Sequence, residues 1–249
     1  MTLFDRFAAL HVSGDPVVLF NVWDAGSARA AVAAGAKAIA TGSHPVADAN
    51  GWPDGEQVPI DFALANAARI VGAVALPVTI DFEGAYAVEP EQAGCNAALL
   101  AATGAVGCNF EDQVIGGEGL HALPLQCRRI AAIRRAVGDS FFINARTDLF
   151  LKAKPEDHDE ALVDVAIERA LGFADAGANG FFAPRLGDLT LVERLCKASP
   201  VPVNAIAYPG APTKTQWASA GIARISHGPF PHLATMKWFV EQARAAIAD

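Results

Sequence analysis

The sequence predicts a single (β/α)8 barrel of the TIM type, and three observations carry the prediction. Short runs rich in Val, Ile and Phe alternate with Ala-rich segments of helical period, repeating roughly every 20 to 35 residues. Most of the runs are apolar throughout, as strands buried on both faces of a parallel sheet are. Eight such units fill 249 residues, which suits a closed barrel better than an open doubly wound sheet with fewer strands.

The strands are expected at PVVLFNV (16–22), AKAIAT (36–41), PVTIDF (77–82), VGCNFE (106–111), FFINART (141–147), GFFAP (180–184), VPVNAIA (201–207) and ARISHG (223–228). The first ends in NVWDAGSA, with one Gly and no G-x-G-x-x-G, so no dinucleotide site is expected. Helices open at Ser27 and Ala28, at Asp61 and near Pro124. Gly after Ala closes AVAAGAKA, LAATGAVG, FADAGANG and WASAGIAR, where it can take the left-handed position before the next strand. No Ser/Gly/Pro-rich linker divides the chain, so residues 1–249 read as one domain.

Apolar residues make up 52% and charged residues 18%, so a large core can be buried. Lys and Arg number 19 against 27 Asp and Glu, a net charge of −8. The densest basic group, Arg128, Arg129, Arg134 and Arg135, reads as solvating one helix face, and no nucleic-acid partner is expected. MTLFDRFAAL lacks the basic-then-apolar pattern of a signal peptide, and no uninterrupted apolar stretch reaches the about 20 residues that span a bilayer. A soluble cytoplasmic protein without a membrane partner is the expectation. Cys95, Cys108, Cys127 and Cys196 form no C-x-x-C pair and read as reduced, mostly buried thiols.

In a barrel the chemistry sits at the C-terminal strand ends, where polar residues crowd here. Asn21 and Asp24 follow strand 1; Thr41, Gly42 and Ser43 follow strand 2; Asp81 and Glu83 follow strand 3; Glu111 and Asp112 follow strand 4. Asn144, Arg146 and Asp148 follow strand 5, then Arg185, Asn204, Ser226 and His227 on strands 6 to 8. Carboxylates converging from neighbouring strands repel unless a cation neutralises them, and oxygen-only ligands suit Mg2+ or Mn2+. Each could instead cap a helix or pair with an Arg. Arg146 could clamp a substrate carboxylate through its fork or pair with Asp148 or Asp112. His227 could shuttle a proton or pack under the final loop. His44 and His121 are placed on loops, facing solvent.

NVWDAGSAR, TGSHPVADANGWPDGE, PVTIDFEGAYA, GCNFEDQ, INARTD and GFFAPRL, in this order and spacing, resemble the isocitrate lyase and phosphoenolpyruvate mutase superfamily over nearly the whole chain. The resemblance implies a Mg2+-binding barrel that makes or breaks C–C or C–P bonds beside a 2-oxo acid or its enolate. By its motifs Asp81, Glu83 and Glu111 match the metal-site acids, with Glu83 where Asp is usual, and Asp54 matches the loop aspartate near the reacting bond. Thr41, Gly42 and Ser43 match the turn that holds the oxo-acid carboxylate through backbone N–H groups. Arg146 matches the substrate arginine, and Asn204 a polar residue on strand 7. A final helix (230–247) packed on a neighbouring subunit, in a homodimer or homotetramer, is implied as well.

The chain departs from its lyase relatives in GGEGLHAL, where Gly119 stands in place of their loop Cys, and in Pro184-Arg185, where they tend to have P-E. The loop also lacks the Lys and Asn of a phosphonate mutase. The expected activity is therefore cleavage of a bond next to the oxo group of a small 2-oxo acid, with a pyruvate-like enolate, such as oxaloacetate decarboxylation or hydrolysis. In this scheme Arg146 and the 41–43 turn hold the substrate while Asp54 or His227 moves the proton. Phosphonomutase-type C–P chemistry and a catalytically silent oxo-acid-binding oligomer are the alternatives.

Overall fold

In the computed structural model, which describes residues 1–248, each predicted strand contains an observed one. They are β1 (Val17–Leu19), β2 (Ile39–Ala40), β3 (Val78–Asp81), β4 (Gly107–Glu111), β5 (Phe142–Arg146), β6 (Gly180–Phe182), β7 (Val203–Ile206) and β8 (Arg224–Ser226). All neighbours are parallel, in the order β1-β8-β7-β6-β5-β4-β3-β2. Val22 N–H then donates to Ala40 O at 2.9 Å and Gly42 N–H to Val22 O at 3.2 Å, which closes β1 onto β2. The protein is a (β/α)8 barrel.

Local chemistry sets the helix boundaries. Helix Ala25–Ala33 begins before the expected Ser27, because Asp24 is its cap and accepts from Ser27 N–H at 2.6 Å. The helices Ile60–Ala73 and Leu123–Val137 start beside Asp61 and Pro124, as read. Gly35, Gly104, Gly177 and Gly221 take positive φ between 89° and 105° at the predicted helix ends.

The arginine group on helix Leu123–Val137 is not one solvated face. Arg129 is 1% exposed, because it shares the inward stripe of Gln126, Ile130 and Ile133. Its Nη2 donates to Gly84 O at 2.7 Å and Ala87 O at 2.9 Å, its Nη1 to Gln126 Oε1, and it lies over the Phe110 ring. Arg134 donates to Gly177 O and Asn179 Oδ1, tying down the turn before β6. Only Arg128 and Arg135 face water.

Inside the barrel a polar layer lies under the C-terminal mouth. Asn144 Nδ2 donates to Asn109 Oδ1 at 2.9 Å and Asn204 Oδ1 at 3.0 Å, while Arg224 Nη2 donates to Asn109 Oδ1 at 3.0 Å. Asn109 Nδ2 in turn faces Asp81 Oδ1 at 3.4 Å. This layer fixes the floor of the site from β3, β4, β5, β7 and β8.

The last helix, Phe230–Ala248, buries only Pro231 and His232 and leaves Trp238, Phe239, Val240 and Ile247 exposed. Beside β1 an apolar groove of about 530 Å3, lined by Leu10, Val12, Val17, Phe20 and Ala31 among others, is uncovered. No described helix is long and apolar enough to cross a membrane.

Candidate active site

A cavity of about 510 Å3 opens at the C-terminal mouth and brings together Ser43, His44, Asp54, Asp81, Arg146 and Arg185. Asp81 reaches it as the last residue of β3. Its Oδ2 accepts from Ser43 N–H at 3.0 Å and Ser43 Oγ–H at 3.1 Å, and its own N–H donates to Thr41 Oγ1 at 2.9 Å. The turn at 41–43 thus clamps Asp81. Its N–H groups do not stand free for a substrate carboxylate as expected, since those of Thr41, Gly42 and Ser43 go to Thr79 O, Val22 O and Asp81. His44, expected to face solvent, instead lines the cavity as the second residue of helix Ser43–Ala49.

Arg146 enters from the end of β5, held by two acids. Its Nε and Nη2 donate to Asp148 Oδ1 and Oδ2 at 2.5 and 3.0 Å, and its Nη1 lies 3.0 Å from Glu111 Oε2. Burial alone would lower this guanidinium, but Glu111 and Asp148 reverse that and hold it above its ordinary range. Arg146 is therefore paired with both acids from behind and still fronts the cavity. Asp112 belongs elsewhere, accepting from Asp148 N–H and from Arg169 at 2.9 Å each.

Three acids carry more negative charge than their surroundings relieve. Glu83 is pushed up to about 8 by burial and by Asp81 and Asp54. Asp54 is raised by desolvation and by Asp81. Glu111 is raised by its burial, although Arg146 works against it. Among the described residues no three Asp, Glu, His or Cys side chains close into a direct metal-ligand group. The donor set still fits a hard cation that keeps part of its water, because it is all oxygen, crowded with mutually repelling acids, and its nearest Arg is already paired.

Backbone strain collects at the same end. Glu56, Glu83, Ala85, Tyr86 and Arg185 all have positive φ, from 49° to 77°, at a cost of roughly 1–2 kcal/mol each. Glu56, which sequence reasoning missed, donates its N–H to Glu83 Oε2 at 2.7 Å and accepts from Tyr86 N–H at 2.6 Å. Its place in the D-G-E string beside Asp54 was the available signal.

Five predicted site residues do not line the cavity: Thr41, Glu83 and Glu111, which stand behind Asp81 and Arg146, and Asn204 and His227. His227 does not line it, because Arg224 and Ser226 point inward on β8 and strand alternation turns His227 outward. Its ring sits 5.1 Å from Phe20, and burial lowers its pKa. Asn204 lies in the floor, accepting from Ser226 Oγ–H at 3.2 Å, and so positions Ser226. His121, expected to face solvent, is buried beside Arg129 in a separate pocket. In the loop before it, Gly119 has φ of 75° and nothing within 4 Å of where a Cβ would stand.

A family model described as phosphoenolpyruvate phosphomutase matches residues 7–247. A presumptive phosphonomutase from Burkholderia cenocepacia is 44% identical, with 98% of each chain covered and a TM-score of 0.95. An uncharacterized Mycobacterium tuberculosis protein is 34% identical over 96% of this chain and 88% of its own length. The 2-methylisocitrate lyase of Escherichia coli is 28% identical over 80% of this chain and 68% of its own. With its barrel, its strand-end acids and these matches, the chain belongs to the phosphoenolpyruvate phosphomutase family, within a superfamily of carbon–carbon lyases and mutases.

Proposed function

We propose that the protein cleaves the bond next to the oxo group of a small 2-oxo acid through a pyruvate-like enolate, with Mg2+ or Mn2+ bound at Asp81. The observation that carries this reading is that Asp81 and Arg146 face one cavity, each fixed by neighbours that leave it little freedom. Glu83 and Glu111 would reach the metal through water. When bound, the metal supplies the Lewis acid that steadies negative charge on the enolate oxygen. Arg146 offers its remaining N–H donors to the substrate carboxylate. The first-turn N–H of His44 has no partner within its helix and supplies another donor. Asp54, which lines the cavity while His227 does not, moves the proton.

Turnover of oxaloacetate and phosphonopyruvate, each with and without Mg2+, tests this. Metal-dependent release of carbon dioxide and pyruvate from oxaloacetate supports the reading, whereas release of oxalate and acetate would mean hydrolysis across C2–C3 without a pyruvate-like enolate. Conversion of phosphonopyruvate with none from oxaloacetate would favour C–P chemistry, for which the 44%-identical relative's name speaks. No turnover of either, with metal-dependent binding retained, would favour a silent oxo-acid binder. Isocitrate and 2-methylisocitrate are expected to give no glyoxylate or pyruvate even at saturating Mg2+, because Gly119 has no proton to give; robust release would contradict that.

We further infer that a second copy of this chain takes the exposed apolar face of helix Phe230–Ala248. Trp238, Phe239, Val240 and Ile247 have no cover in one chain, and the groove beside β1 is an apolar surface of the kind they would fill. Light scattering should give a dimer or tetramer for the native chain and a monomer for Trp238→Glu/Phe239→Glu. A native monomer would refute this assembly.

A further inference from the structure

Arg224 is a buried cation without a paired acid. It stands on β8 inside the barrel, 1% exposed. Among the described residues no carboxylate lies within ion-pair reach of it, and its Nη1 has no hydrogen-bond partner. A guanidinium in that position carries a large desolvation cost. Burial pulls its pKa down to about 9, which still leaves it charged at neutral pH. Two of the titratable groups that feel its charge give no relief. Cys108 stays a thiol, because burial pushes it up to about 12, and His11, stacked on Phe142, stays neutral, because burial pulls it down to about 3. Asp81 is the carboxylate whose charge acts on Arg224.

A single side chain links the two. Arg224 Nη2 donates to Asn109 Oδ1 at 3.0 Å, where Asn144 Nδ2 also donates at 2.9 Å, and Asn109 Nδ2 faces Asp81 Oδ1 at 3.4 Å. A guanidinium has donors only. The Asn109 atom beside it is therefore the carbonyl oxygen, and the amide N–H groups turn the other way, to Asp81 and the cavity that Asn109 lines. A charged donor behind the carbonyl also polarises the amide and strengthens its N–H groups as donors. The floor thus presents positive potential beneath Asp54 and Asp81, whose charges alone would repel an anionic ligand.

We infer that Arg224 is a positioning residue for the anionic substrate: its charge, carried to the cavity floor through the Asn109 amide, favours a bound oxo-acid anion in a site crowded with carboxylates. This rests on the enolate reading above and deepens it, because it names what beneath the floor offsets the acids that hold the metal.

Calorimetric titration of Mn2+ alone, and of oxalate at saturating Mn2+, tests this on the native protein, Arg224→Met, Arg224→Lys and Asn109→Ala. Loss of the charge should move the two ligands in opposite directions. Arg224→Met should bind oxalate about tenfold more weakly and Mn2+ about threefold more tightly, because a like charge beneath the cation has gone. A merely structural residue would weaken both. The melting temperature of Arg224→Met should fall by no more than about 2 °C, since an apolar chain of similar length replaces an unpaired buried charge. Arg224→Lys, which keeps the charge, should hold oxalate within about threefold of native. Asn109→Ala should weaken oxalate about tenfold with Arg224 in place, and native-like binding there would overturn the assignment even if Arg224→Met does not fold. Unchanged oxalate binding in Arg224→Met, or oxalate and Mn2+ weakened together, would overturn it as well. If the native protein binds no oxalate with Mn2+, the enolate reading fails, and tighter Mn2+ binding in Arg224→Met still upholds the action of its charge on the site. Unchanged Mn2+ binding in that case would remove both.

Discussion

Asp81→Asn is expected to lower metal-dependent turnover by about a thousandfold while leaving the barrel folded. Losing a charged metal ligand removes on the order of 4 kcal/mol of charge stabilisation from the transition state, which corresponds to that factor. The fold should tolerate the change because the substituted amide keeps an oxygen for Ser43, which now donates to Asp81 Oδ2 from N and Oγ at 3.0 and 3.1 Å. Removing the charge also relieves Glu83 and Asp54, both of which Asp81 now pushes upward. Turnover and melting temperature measured on the same preparation decide the matter. A large fall in melting temperature would make Asp81 a structural acid, and near-native turnover would place the metal elsewhere.

Arg129→Ala is expected to cost about 3–5 kcal/mol of stability, a fall on the order of 10 °C in melting temperature for a chain of this size. The buried guanidinium donates to Gly84 O and Ala87 O, so truncation strands two carbonyls and opens a cavity against Phe110. Between those carbonyls lie Ala85 and Tyr86 in strained left-handed conformations. With that tie cut, the strain is opposed by fewer contacts, those of Glu56 with Tyr86 N–H and of Asn96 with Ala85 O, and Glu83, which leads into the segment, is held less firmly. Metal affinity should therefore fall together with stability, and Arg129→Lys should recover only part because an ammonium cannot bridge both carbonyls at once. A shift below about 2 °C would show that the segment holds itself.

Much of this was legible in the sequence, for identifiable reasons. The strands announce themselves because a two-sided buried strand must be apolar throughout, and the Gly residues after each Ala-rich run mark where helices must stop. The placement of Asp81 and Arg146 at the barrel mouth was legible from position, since both stand at the C-terminal ends of their strands. Asp148, which grips Arg146 by its fork, stands in the same A-R-T-D string.

What escaped depends on direction rather than identity. RISH does not say which alternate residues face inward, and only the register of β8 against β7, with Arg224 beside Asn204, sets His227 outside. The N–H groups of the 41–43 turn read as free because sequence does not show that barrel closure claims Gly42 and Asp81 claims Ser43. Arg129 read as a surface charge although its helical spacing from Gln126 and Ile133 put it on the inward stripe; its partners are backbone carbonyls, which no sequence motif displays.

The measurement that bears most directly on the enolate account is a melting curve with oxalate, because oxalate is planar, dianionic and shaped like pyruvate enolate. At roughly 100 times its dissociation constant, linkage adds about 2.7 kcal/mol, or on the order of 5 to 10 °C here. The account predicts that shift with Mg2+ or Mn2+ present, its loss on chelation, and a smaller shift in Arg146→Ala. A melting curve unmoved by oxalate with metal, or moved equally without it, would contradict the account.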